Sequence, residues 1–190
     1  MQWTNPGANY GWVGIALHWL VALAVVGMFA LGLWMTELGY YHDWYHRAPA
    51  LHKSVGMLLF GLILLRFGWR LANPPPQLQS AIPLRQRALA RWSHRLLYLL
   101  LVMVPIAGYL IATAKGKPVD VFGWFEVPAL VQGLEGQEDI AGEVHEYLAF
   151  ALVGLATIHT LAALKHEFID GCRTLRRMLW PGGDGKDQST

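Results

Sequence analysis

No aspartate, glutamate, lysine or arginine occurs before Glu37, and within that stretch Val13–Met35 is apolar throughout and long enough to cross a bilayer as one helix. A segment of that kind leaves few choices. In hydrocarbon every backbone N–H and C=O must find a partner inside the segment or in a closed barrel, and a run of this length and composition meets that demand as a helix. Leu96–Ala114 and Tyr147–Leu164 are two further uncharged runs. Around His52–Leu71 lies a fourth, with Arg66 and Arg70 in its last turns, where long basic side chains reach back to the headgroups. Asn73-Pro74-Pro75-Pro76 ends it, since proline cannot continue a helix. Only 15% of the 190 residues are charged, too few to cover the surface of an ordinary water-soluble domain, where about 25% is usual.

The expected fold is therefore an all-α integral membrane protein, a single four-helix transmembrane bundle over residues 1–180. Its spans are expected near 13–35, 52–71, 94–114 and 143–165, with a polar tail at 181–190. Trp12, Trp34, Trp69, Trp92 and Trp124 sit near the span edges, as interfacial aromatics do. The apolar start lacks a basic leading region and is too long for the core of a signal peptide, so it reads as a span. Between the second and third spans lie Arg66, Arg70, Arg85, Arg87, Arg91 and Arg95 without an acid. Lys165, Arg173, Arg176 and Arg177 follow the fourth. The connection between spans three and four instead carries Asp120, Glu126, Glu135, Glu138, Asp139 and Glu143 against Lys115 and Lys117. By the positive-inside rule both termini and the arginine-rich loop are expected to face the cytoplasm.

One cysteine, Cys172, excludes an intramolecular disulfide, a multi-thiolate zinc site and a cysteine-ligated iron–sulfur cluster. No C-x-x-C-H occurs, which excludes covalent haem attachment. The histidines remain. His18 lies near the cytoplasmic start of the first span and His52 opens the second on the outer side. His145 opens the fourth on the outer side and His159 lies near its inner end. Antiparallel threading sets His18 level with His159 and His52 level with His145. The 14 residues from His145 to His159 turn a helix about 1400°, about 40° short of four turns, and rise about 21 Å. Two imidazoles on one helix face, each opposite a partner on another helix, are what two stacked haems with bis-histidine iron need within about 30 Å of hydrocarbon.

Gly14 and Gly56 stand four residues from His18 and His52, and Gly154 lies between the two histidines of the last span, where a flat macrocycle needs room. Zinc fits less well, because two imidazoles leave half of its tetrahedral shell empty. A proton relay lacks a buried acid beside the histidines. Arg66 and Arg70 are candidates for pairing with haem propionates. His94, at the cytoplasmic start of the third span, is a candidate for a propionate or a quinone carbonyl. His42, His46 and His166 read as solvated, and Pro105 should loosen the third helix.

These residues resemble the prokaryotic cytochrome b561 family of four-helix, dihaem membrane cytochromes. The matching pieces are Ala16-Leu17-His18-Trp19-Leu20, Leu51-His52-Lys53-Ser54-Val55-Gly56 and Leu65-Arg66-Phe67-Gly68-Trp69-Arg70 before the proline run. Pro105-Ile106-Ala107-Gly108, Val144-His145-Glu146 and Ile158-His159-Thr160-Leu161-Ala162-Ala163 complete them, and the likeness runs from about Tyr10 to Arg177. The resemblance implies two non-covalent haem b groups, with His18, His52, His145 and His159 as axial ligands. Some members of that family are superoxide oxidases, moving electrons from superoxide outside to ubiquinone. Others are like the cytochrome subunits that anchor hydrogenases or dehydrogenases. The expected partners are thus membrane lipid, ubiquinone and a small donor such as superoxide or a redox protein, with no nucleic acid. The acidic loop between spans three and four would repel an anion, while Lys53, Lys115 and Lys117 could form a local positive spot at the outer haem.

Overall fold

The computed structural model describes residues 2–5, 9–76, 82–172 and 174–181. Residues 182–190 of the expected polar tail lie outside them. Four long helices dominate: α1 (Trp12–Thr36), α2 (Arg47–Ala72), α3 (Leu84–Thr113) and α4 (Gln137–Phe168). Each is long and apolar enough to cross a membrane. At 1.5 Å per residue they measure roughly 38, 39, 45 and 48 Å, so all four exceed about 30 Å of hydrocarbon, α3 and α4 by the most. Their extra turns are polar, Arg85–Arg91 on α3 and Gln137–Gly142 on α4, which is why the apolar runs alone mark shorter helices.

α1 packs on α2, α2 on α3 and α3 on α4, and a lighter contact between α1 and α4 closes the ring. All termini of the bundle's connectivity then fall at one end (the terminal end, with the starts of α1 and α3), and the α1–α2 and α3–α4 connections at the other (the loop end). Val21, Ile63, Leu100, Leu101 and Leu152 form the buried centre, at least one from each helix, midway between the two ends. Outward, Leu20, Leu23, Val26, Leu64, Leu65 and Ile158 are exposed. Large apolar side chains in contiguous outward positions suit a lipid surround.

Beside the four helices of the expected all-α bundle, the α3–α4 connection carries a small two-stranded hairpin, β1 (Val119–Val121) and β2 (Phe125–Val127), antiparallel with Val121 opposite Phe125. The rest of that connection is tied to the helices by side chains. Gln137 Nε2 donates to Leu110 O at 3.0 Å, and Tyr109 Oη donates to Pro128 O at 2.6 Å while accepting the Leu130 N–H at 2.7 Å. Beyond α4 a single 3-10 turn, Arg176–Met178, folds back on the terminal end. Trp19 Nε1 donates to Met178 O at 2.7 Å, and Arg176 pairs with Glu167 at 3.1 Å.

Candidate functional site

At the loop end, His52 of α2 and His145 of α4 face each other with ring centroids 6.1 Å apart, half-buried. Neither opens its helix as expected. His52 stands over a turn inside α2 and His145 more than two turns inside α4, because both helices begin earlier, at Arg47 and Gln137. Two imidazoles that share one metal ion, each bonded at about 2 Å, have centroids about 6 Å apart. The observed 6.1 Å leaves room for one metal ion between the two rings.

The ring nitrogens support the same reading. His145 Nδ1 lies 2.9 Å from Val104 O, and a carbonyl only accepts, so Nδ1 carries the proton and the Nε2 lone pair is free to bind a metal. His52 Nδ1 is buried without a protein partner. Glycines back both rings. A Cβ on Gly108 would come within 3.1 Å of His145 Cε1, and one on Gly32 within 3.4 Å of His52 Cε1. These are the close approaches that matter, and they sit on the helices facing the histidines. Of the glycines singled out in the sequence, Gly56 borders this space, with Met28 its nearest neighbour. Gly14 meets Asn5, Tyr10 and Trp69, and Gly154 faces open space.

A cavity of about 680 Å³ surrounds the His52–His145 pair, walled by residues such as Met28, Gly32, Gly56 and Gly108. It lies in the size range of small-molecule and cofactor sites, mostly apolar with a few polar groups at the mouth. Lys53, Lys115, Lys117, Glu138 and Glu146 stand at that mouth. Lys115 is not free to act as a bare cation, since its Nζ is 2.7 Å from a Glu138 oxygen. That bond, first, and the carboxylate's charge hold Lys115 above the ordinary lysine range. Two opposed imidazoles in a largely apolar cavity, with Gly32, Gly56 and Gly108 in its wall, fit a haem iron with its macrocycle.

The terminal end is arranged differently. His159 lies against His94, ring centroids 5.2 Å apart, and His18 turns its Nδ1 to Arg66 Nη2 at 2.8 Å. Arg66 also reaches His18 O at 3.3 Å and Tyr98 Oη at 3.3 Å. Arg70 joins it over the Tyr98 ring, 5.0 Å from the centroid. A guanidinium only donates, so His18 Nδ1 accepts, and its proton sits on Nε2. In this arrangement His18 does not offer an Nε2 lone pair to iron, and Arg66 must release Nδ1 before it can. The expected residues thus gather at this level, with His94 beside His159 and Arg66 on His18. Among the described residues no group of three or more His, Cys, Asp or Glu side chains converges on a metal-sized position.

Comparison with known proteins places these residues in context. The family model described as prokaryotic cytochrome b561 matches residues 9–181. The chain is 52% identical to cytochrome b561 homolog 2 of Escherichia coli K12, over 94% of this chain and 95% of that one. It is 31% identical to cytochrome b562 of Cereibacter sphaeroides, over 93% and 98%. It is 28% identical to a probable superoxide oxidase CybB of Yersinia pestis, over 90% and 96%.

Proposed function

The chain belongs to the prokaryotic cytochrome b561 family of membrane electron-transfer proteins, and on that footing we propose that it holds two haem b groups and carries single electrons between the two faces of a bacterial inner membrane. The observation that carries this reading is the His52–His145 pair, 6.1 Å apart across a glycine-walled cavity with the proton of His145 fixed on Nδ1. A haem held by His52 and His145 would supply a one-electron ferric/ferrous couple suited to outer-sphere transfer. Val104 O fixes the His145 tautomer, Gly32 and Gly108 back the two rings, and the apolar wall excludes water.

The second haem is assigned to His18 and His159. For that site Arg66 and Arg70 are the propionate partners, and a propionate's charge is what would draw Arg66 off His18 Nδ1. His94, beside His159, is a polar contact for the same haem or for a quinone. The charge asymmetry supports a cytoplasmic terminal end: the arginines from Arg66 to Arg95 are there, and the acids from Asp120 to Glu143 are at the loop end. The His52–His145 site is then the outer one, with Lys53 at its mouth.

For donor and acceptor, the reading follows the relative named as a probable superoxide oxidase. Two superoxide ions give up one electron each and leave as O2. One ubiquinone takes both electrons with two protons to become ubiquinol. Purified protein given a superoxide source and a ubiquinone analogue should form quinol, and superoxide dismutase should abolish that formation. Quinol formation that dismutase leaves untouched would remove superoxide as the donor.

One observation favours a second reading. Lys115 is neutralised by Glu138, and the loop end is rich in acids, so the outer face repels anions. A cytochrome subunit that takes electrons from a soluble metalloprotein would have no such conflict. Co-purification of an iron–sulfur or molybdenum protein from the native membrane would support it.

A further inference from the structure

Ser54 stands on α2 two residues after His52 and is 4% exposed. Its hydroxyl donates to Asp120 O at 3.2 Å and accepts the Phe122 N–H at 3.3 Å. One serine hydroxyl therefore bridges a carbonyl on the edge of β1 and the first N–H of the turn that follows it. Below this edge Val119 and Val121 are buried, at 3% and 0% exposure, and Val119 borders the cavity around His52 and His145.

The hairpin is not held there by its own ladder, which is only three residues per strand. Its turn is costly. Phe122 and Gly123 have φ of 55° and 70°, and the Trp124 N–H closes the turn on Val121 O at 2.9 Å. Positive φ at both central positions suits glycine, asparagine or aspartate, and phenylalanine adopts it only where its surroundings compel it. Two contacts compel it: Ser54 takes the Phe122 N–H, and the Asp120 carboxylate takes the Gly123 N–H at 3.1 Å.

We propose that Ser54 is a positioning residue that keeps the β1–β2 hairpin seated as a roof over the outer haem site, and that this roof sets the potential of that haem by excluding water. The inference rests on the dihaem reading above. Ferric haem carries one more positive charge than ferrous haem, and water stabilises the more charged form. Solvent exposure is one of the protein's levers on haem potential. Loosening the roof must therefore lower the outer midpoint and leave the inner one in place.

The test is a redox titration of the haem-loaded protein in wild type, Ser54→Ala, Ser54→Thr and Val121→Ala, with hydrogen exchange followed at residues 119–127. The outer haem is identified as the one lost in His52→Ala. In Ser54→Ala and Val121→Ala, exchange over the hairpin should quicken. The ferric/ferrous ratio of the outer haem at fixed potential should rise on the order of tenfold, a fall of about 59 mV for one electron. The inner haem should not move, and Ser54→Thr, which keeps the hydroxyl, should stay near wild type. Selective loss of the outer haem in the two alanine variants would report the same roof. Faster exchange with both midpoints unchanged, equal movement of both midpoints, or no change in exchange would each overturn the proposal. A wild type with fewer than two haems, or haem content untouched in His52→Ala, would instead strike the dihaem reading itself.

Discussion

Replacing Gly108 by alanine should weaken haem retention at the outer site without harming the helix that carries it. The added Cβ would lie 3.1 Å from His145 Cε1 and 3.2 Å from Nδ1, against about 3.4 Å for an ordinary contact, so the ring must give by about 0.3 Å. That ring is not free to yield, because Nδ1 is bonded to Val104 O at 2.9 Å, on the same helix as the intruding methyl. Loss of that bond costs about 1 kcal/mol, or roughly fivefold. Disturbing an outer partner of a metal-bound histidine lowers metal affinity by on the order of tenfold or more. A five- to tenfold weaker hold on one haem is therefore expected. Alanine is the better helix former by about 1 kcal/mol, so α3 itself should not suffer. Two other glycines calibrate the effect. Gly32→Ala meets His52 at 3.4 Å, an ordinary contact, and should cost less. Gly154→Ala meets nothing within 4 Å and should cost nothing. Haem per polypeptide after purification, with the low-spin ferric resonance spectrum of what remains, measures the series. If Gly108→Ala and Gly154→Ala were alike in haem content and spectrum, His145 would not be held against Gly108 as an iron ligand.

Glu138→Gln leaves Lys115 unpaired at the cavity mouth, so reduction by superoxide should quicken several-fold at low salt. The gain should vanish at high salt, and stopped-flow rates across ionic strength would check this. The same pair should persist through neutral and mildly alkaline pH. Lys115 is held above its ordinary range, so the contribution is complete below the usual lysine pKa and fades only as pH rises through the elevated one. Asp170, past the end of α4, behaves in the opposite sense. Its bond to Lys165, and then that to His166, hold its carboxyl below the ordinary range, at 2.7 Å in each case. The stability difference between wild type and Asp170→Asn should be constant above the usual aspartate pKa and disappear as pH falls through the depressed one. A difference that grew on acidification would contradict that assignment.

Four helices could be read in the chain because the uncharged runs Val13–Met35, Leu96–Ala114 and Tyr147–Leu164 permit little else in a bilayer. Histidine levels follow from antiparallel threading alone, and that is enough to bring His52 to His145. Rotation of one helix against another is not written in spacing. It decides that His159 meets His94, that His18 meets Arg66, and that Gly32 and Gly108 back the His52 and His145 rings from neighbouring helices, whereas the glycines singled out lie on the histidines' own helices. The helices extend beyond the expected spans by turns that the uncharged runs do not mark, such as Arg85–Arg91 on α3 and Gln137–Gly142 on α4. The hairpin did leave a trace: valine alternates at 119 and 121, Phe125 and Val127 alternate after it, and Gly123 sits in the turn between. Three-residue strands are simply too short to stand out within an acidic loop.

The most direct test of the account is a reduced-minus-oxidised spectrum of the purified protein with haem counted per polypeptide, repeated for His52→Ala and His18→Ala. Two low-spin b haems in the wild type, falling to about one in either variant with different midpoints remaining, is the predicted result. A preparation without haem, or one that keeps both haems when His52 is removed, would contradict it.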